Sequence, residues 1–267
     1  MSLLFSACAV GLYLLATGLI FARLSKRATG DEAGKGTALG VWAAAALAHG
    51  LAIYVQMAKL HGFNLGFFSA LSVVALLMSV LVLISAINRP LENLGLILLP
   101  LAAACAALGQ FVETSPLIPA TQHIQTHVFV SLLAYSILTI AALQALLLWA
   151  QERQLHNHQP GGLIRALPPM QWMEDLLFRL IALGVVLLGL ALASGFFFLE
   201  DVFAQHLAHK TVLSIAAWLL FVMLLLGRWR FGWRGPTAVR WTLFGFFVLM
   251  LAYFGSKLVL ELVLQRS

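Results

Sequence analysis

The spacing of charged residues is the feature that most constrains the fold of this chain. Eight long stretches contain no Asp, Glu, Lys or Arg, in a sequence of 267 residues of which 62% are hydrophobic and 10% are charged. These stretches are 1–22, 36–58, 60–88, 93–112, 114–151, 180–199, 211–227 and 241–256. A helix needs about 20 apolar residues to cross a bilayer, and each stretch meets or approaches that length. The sequence therefore predicts an all-α polytopic membrane bundle of about eight transmembrane helices.

Basic residues are distributed unevenly among the connections between these helices. Twelve of the sixteen Lys and Arg residues follow odd-numbered helices, whereas only Lys59 and Lys210 follow even-numbered ones. Because basic loops stay on the cytoplasmic side, we expect the odd connections inside and both termini on the periplasmic side. The basic composition thus indicates a lipid bilayer as partner and no nucleic acid. The basic and aromatic stretch 228–235 is then predicted to be an interfacial anchor that contacts anionic lipid.

The longest connection, 152–175, contains Pro-Gly-Gly and Pro-Pro sequences typical of a loop. It separates a front group of five helices, 1–151, from a back group of three, 176–267. We expect a single transmembrane domain over 1–267, because little of the chain lies outside the apolar stretches. Within the loop, 172–178 has apolar residues at helical spacing. That spacing fits either a short helix at the cytoplasmic interface or an early start of helix six.

Histidines are the side chains that could carry chemistry in or near the membrane. Six of the eight are predicted near the outer face or in a span: His49, His61, His123, His127, His206 and His209. Neutral imidazole binds haem iron and divalent metals, whereas a histidine in an outer loop is more simply interpreted as a solvated side chain. The two closely spaced pairs among these histidines lack the carboxylate or Cys that would strengthen a zinc or copper assignment. No metal site and no catalytic residue is predicted.

Two of these histidines differ in what their positions require. His49 lies near the middle of helix two, where an imidazole without a partner is costly, so it must be hydrogen-bonded or bind a ligand. Tyr54 and Gln56 are the neighbours that could satisfy it. His127 begins helix five at the predicted outer face, where it could bind a cofactor or hydrogen-bond to water or Gln125.

Several short motifs carry a resemblance to a known family. They are strongest in the last third of the chain: His-Lys-Thr-Val-Leu-Ser at 209–214 with Trp218, Gly-Trp-Arg-Gly at 232–235, and Leu-Ala-Tyr-Phe-Gly-Ser-Lys at 251–257. The match is moderate around His127 and weaker before it. With these motifs the sequence resembles the YpjD group of bacterial inner-membrane proteins, within the CcsA/CcmC superfamily of cytochrome c assembly proteins.

The resemblance implies haem handling. Better-known members of the superfamily present haem at the outer face between two histidines that flank a tryptophan-rich segment. His127 matches the first histidine, but 199–210, where the tryptophans should fall, contains none. The second histidine should fall near 252–254, where this chain has Ala-Tyr-Phe. His209 or His206 is therefore the candidate replacement ligand for a non-covalent b-type haem, and complete haem-ligase activity is not expected.

The leading hypothesis is a non-enzymatic, haem-handling or assembly-type protein of the bacterial inner membrane in which His127 is one axial ligand. His49 is a further candidate for cofactor binding. One alternative is a cofactor-free membrane interaction subunit that kept the fold, and another is a small-molecule or metal transporter. Short loops favour another membrane protein, or an outer-face carrier of haem or apocytochrome, as the partner.

Overall fold

The computed structural model describes residues 1–27, 34–60, 66–89, 91–110, 122–156, 167–198 and 205–255, and at a few helix ends, including 205–209, it describes the backbone alone. Eight α-helices follow one another in these ranges. They are α1 (Ser2–Arg27), α2 (Lys35–Leu60), α3 (Phe67–Asn88), α4 (Gly95–Leu108), α5 (Gln122–His156), α6 (Met170–Phe198), α7 (Gln205–Phe231) and α8 (Gly235–Met250). A 3₁₀ turn, Glu92–Leu94, leads into α4, and a π-helix, Leu251–Gly255, continues α8.

Seven of these helices are long and apolar enough to cross a membrane, and the eighth is the shorter apolar helix Glu92–Leu108. The described residues contain no strand. The predicted all-α bundle of about eight membrane helices is therefore confirmed. The segment 172–178 forms the first turns of α6, which runs without interruption from Met170 to Phe198, so the early start of helix six is the correct interpretation.

The chain divides into two compact units. Unit 1 comprises Met1–Ile118 and Gln151–Pro169, and unit 2 comprises Pro119–Ala150 and Met170–Ser267. Unit 1 thus contains α1–α4 with the end of α5, and unit 2 contains most of α5 with α6–α8. The single domain over 1–267 stays a prediction.

In unit 1, α1 packs against α2 and α4, and α3 packs against α4 and α2. Large side chains fill this core, and Tyr13 and Trp42 are fully buried. The Trp42 ring lies against Gly95 at the start of α4, where an added Cβ would lie 3.1 Å from the ring. An ion pair between Arg23 and Glu92 joins α1 to the 3₁₀ turn. Nη1 and Oε1 lie 3.1 Å apart, and the two side chains are only 11% and 5% exposed.

In unit 2, glycines mark the closest approaches between helices. An added Cβ at Gly184 would overlap the side chain of Leu138, which places α6 directly on α5. Gly189 likewise faces the Trp218 indole of α7, whose Nε1–H donates to the Val185 carbonyl over 3.0 Å. Small residues permit this proximity, which is how membrane helices gain packing energy where lipid supplies no hydrophobic force.

In unit 2, Arg228 of α7 forms ion pairs with two acidic residues of α6. Its Nη1 lies 2.7 Å from Oε1 of Glu174, its Nη2 lies 3.2 Å from Oδ1 of Asp175, and its guanidinium lies 4.6 Å above the Phe178 ring. The contact of the segment 228–235 with anionic lipid stays a prediction. Trp229 and Phe231 in this segment are exposed.

Candidate functional site

His49 lies in unit 1, buried between three helices with 1% of its surface exposed. Its Nδ1 lies 3.3 Å from the Tyr13 hydroxyl of α1, and its Nε2 lies 2.8 Å from the Ser72 hydroxyl of α3. The Tyr13 and His49 rings meet edge to face, with centroids 5.8 Å apart. Both ring nitrogens are therefore engaged, but by residues of other helices and not by Tyr54 or Gln56.

A further buried hydrogen bond joins α2 to α3. The Trp42 indole Nε1–H donates to the Ser79 hydroxyl over 2.8 Å. The polar side chains of three membrane helices thus satisfy one another inside unit 1. Such satisfaction is what a buried polar group requires in a medium without water. His49 already has the partners that its burial demands.

His127 lies in unit 2, in the second turn of α5, and its side chain is half-buried. Its Nδ1 lies 2.9 Å from the Ser194 hydroxyl of α6, whereas the sequence suggested water or Gln125 as hydrogen-bond partners. The backbone carbonyl of His127 accepts a hydrogen bond of 2.8 Å from Ser131, one turn further along α5. One ring edge of His127 is therefore held by α6.

Gly195 completes the contact between the His127 ring and α6. An added Cβ at this position would lie 3.1 Å from Cε1 and 3.6 Å from Nδ1 of the imidazole. That separation is tighter than ordinary side-chain contacts, so any larger residue would displace the ring. Sequence reasoning missed both Ser194 and Gly195, because serine and glycine are common in membrane helices and form no motif here.

A tyrosine pair lies deeper on the same face of α5. Ser131 and Tyr135 follow His127 at intervals of four residues, so the three side chains share a face, and Tyr135 lies about 12 Å from His127 along the axis. The Tyr135 hydroxyl donates to the Leu249 carbonyl over 3.3 Å, and its ring lies 5.6 Å from the ring of Tyr253 in the π-helix. These contacts join α5 to the end of α8 within unit 2.

The structure describes less of the other predicted histidine ligands. His206 and His209 fall in the first two turns of α7, in unit 2, and their side chains lie outside the described residues. His61 lies wholly outside those residues, and the side chain of His123 does as well. Of the four candidate cofactor ligands, His127, His206 and His209 belong to unit 2, whereas His49 belongs to unit 1.

Comparison with known proteins gives a consistent assignment. The family model described as cytochrome C assembly protein matches residues 40–264. Inner membrane protein YpjD of Escherichia coli (strain K12) is 35% identical over 209 residues, which cover 76% of this chain and 77% of that protein. An uncharacterized 28.8 kDa protein of Azospirillum brasilense is 32% identical over 199 residues, covering 72% and 73% of the two chains.

A more distant relative is protein HemX of Brevibacillus brevis, which is 23% identical over 146 residues, or 54% of each chain. No solved structure matches the chain. The inner-membrane relative and the apolar helices together establish a multi-pass protein of the inner membrane, in contact with the lipid bilayer. The family match covers most of the chain, from residue 40 within α2 to residue 264. This chain belongs to the cytochrome c assembly protein family.

Proposed function

We propose that this protein binds and handles haem at the outer face of the inner membrane, with His127 as one axial ligand of a non-covalent b-type haem. The hydrogen bonds of the two described histidine side chains support this assignment. Both nitrogens of His49 are hydrogen-bonded, whereas the hydrogen bond at His127 is made by Nδ1. Nε2 of His127 is therefore the nitrogen that would bind the iron. His127 is also the residue that matches the first histidine of the family.

The residues around His127 fit a haem ligand in chemistry as well as in position. A ligating imidazole is oriented by a hydrogen bond to its second nitrogen, and the Ser194 hydroxyl occupies that place. The ring is half-buried, so the protein shields one part of it and leaves another part accessible. His127 would supply an imidazole ligand to the iron of a haem held here.

For the second axial position we propose His209 or His206 at the start of α7. Both belong to the same compact unit as His127. They replace a family histidine that should fall near 252–254, where this chain carries Tyr253 between Ala and Phe. Non-enzymatic handling is favoured over complete ligase chemistry, because 199–210 lacks the tryptophans of the family segment. We propose that haem passes to or from another membrane protein or an outer-face carrier.

The outer-face location follows from the proposed orientation. Lys and Arg residues follow the odd-numbered helices in a ratio of twelve to two, so those connections are proposed to be cytoplasmic. His127, His206 and His209 then lie at the periplasmic ends of their helices, as do both termini. A reporter that works only in the periplasm should be active when it is fused after Ser267. Activity of a reporter that works only in the cytoplasm would show that the topology is the reverse of the one proposed.

The absorbance spectrum of protein purified from haem-replete cells tests the proposed ligand. We expect a Soret band in the wild type, and its loss or shift in His127→Ala, because removal of an axial ligand changes the iron spin state. His206→Ala and His209→Ala identify the partner, since only one of them should reproduce that change. His158→Ala is the matched control, because this histidine lies in the connection 152–175, which follows helix five and is predicted to be cytoplasmic.

The outcomes separate the proposed function from its rivals. A Soret band that His127→Ala leaves unchanged would overturn His127 as the ligand. Purified wild-type protein without a Soret band, even after incubation with haem, would favour the cofactor-free interaction subunit. That alternative is supported by the missing tryptophans and by the missing second family histidine.

A further inference from the structure

We infer that Ser194 is a positioning residue that holds His127 in the tautomer with its proton on Nδ1, which leaves the Nε2 lone pair free to bind iron. This inference rests on the proposed function for its purpose. The tautomer itself is a property of the haem-free protein. Its chemistry follows from counting the protons available around the ring.

Ser194 has a single hydroxyl proton to donate. That hydroxyl donates to the Ala191 carbonyl one turn earlier in α6, with Oγ and O 2.9 Å apart. With its proton used there, Ser194 Oγ can only accept at the 2.9 Å contact with His127 Nδ1. The proton in that contact must therefore belong to Nδ1.

Gly195 allows the Cε1 edge of the His127 ring to lie against α6. The distances from a Cβ built at Gly195 rise from 3.1 Å at Cε1 to 3.6 Å at Nδ1 and 3.9 Å at Nε2, so the ring lies close against the α6 backbone. Ser194 fixes Nδ1, and the missing side chain at Gly195 allows the ring to remain in contact with α6. Nε2 is then the nitrogen left for a ligand.

This arrangement predicts how haem binding depends on Ser194. A hydrogen bond accepted from the second nitrogen orients a ligating histidine and makes it more basic, and its loss typically costs roughly 10–100-fold in affinity. Ser194→Ala should therefore weaken haem binding by about that factor. The reduction potential of the haem should rise, because a less basic ligand stabilises ferric iron less. Ser194→Thr keeps the hydroxyl and should restore both properties.

Nitrogen-15 NMR of the His127 ring in haem-free protein, selectively labelled and held in detergent micelles, tests the tautomer directly. We expect a protonated Nδ1 and an unprotonated Nε2 in the wild type, and a shift toward protonated Nε2 in Ser194→Ala. Ser131→Ala is the matched control, because it removes a neighbouring hydroxyl that binds the His127 backbone and not the ring. It should change neither the tautomer nor the potential.

Each result decides the inference separately from the proposed function. A protonated Nε2 in the wild type would overturn it, and so would a Ser194→Ala variant with unaltered tautomer, haem affinity and potential. Wild-type protein that carries the Nδ1 proton but binds no haem would support the tautomer assignment and overturn the proposed function. Loss of folding in Ser194→Ala alone would leave Ser194→Thr and the wild-type tautomer to decide.

Discussion

Two histidines in membrane helices of the same protein have opposite surroundings. In unit 1, His49 is almost wholly buried, and hydroxyls from two other helices engage both of its ring nitrogens. In unit 2, His127 is half-buried, and its hydrogen bond to Ser194 engages Nδ1. A buried imidazole is thus evidence of function only when its hydrogen-bonding groups are not all used by the protein. Burial alone would have ranked His49 above His127.

The same contrast extends to the charged ends of the two units. In unit 1 the Arg23–Glu92 pair is nearly buried, with side chains 11% and 5% exposed. In unit 2 Arg228 is 21% exposed and is shared between Glu174 and the more exposed Asp175. The ion pair of unit 1 is therefore more deeply buried than the ion pairs of Arg228 in unit 2.

The largest effect is expected from breaking the enclosed pair. Glu92→Ala leaves the Arg23 guanidinium largely buried without this carboxylate, and such a change destabilises proteins by about 3–5 kcal/mol. Glu174→Ala should cost less, about 1–3 kcal/mol, because Asp175 and the Phe178 ring still contact Arg228. Unfolding of the two variants by sodium dodecyl sulfate in mixed micelles gives both values. A Glu174→Ala cost equal to or above that of Glu92→Ala would remove the proposed difference between the units.

The sequence predicted the helices well because each connection carries charges that mark its boundaries. It left the start of α6 undecided, since the apolar spacing of 172–178 fitted both a short interfacial helix and an early start of helix six. Arg228, 54 residues later, pairs with Glu174, so α6 can begin at Met170. No local pattern encodes a contact over that separation.

The candidate site was predictable only in part for a similar reason. The position of His49 showed that it needed partners, but Tyr13 and Ser72 lie 36 and 23 residues away on other helices. Neighbours along α2 could not reveal them, and Tyr54 in fact lies 68% exposed. His127 was singled out by its place at a helix start and by the family resemblance. Its partner Ser194, 67 residues away, required the structure.

Replacement of His49 by leucine gives the most direct test of the comparison between the two histidines. Leucine is close in size but offers neither a donor nor an acceptor, so the hydroxyls of Tyr13 and Ser72 each lose a partner. A buried polar group left unsatisfied typically costs about 1–3 kcal/mol, and we expect His49→Leu to be destabilised by that order. Haem bound per folded molecule should not change, because the proposed ligands all lie in unit 2.

His127→Leu is the matched variant with the opposite expectation, since it should lose the haem spectrum at a stability cost of about 0.5–1.5 kcal/mol for one hydrogen bond. Detergent unfolding and the Soret absorbance, measured on both variants, separate the two roles. If His49→Leu instead keeps its stability and loses the Soret band, His49 is a ligand, and its two hydrogen bonds do not stabilise unit 1. If it keeps both, the network around His49 contributes neither function nor stability, and the contrast with His127 disappears.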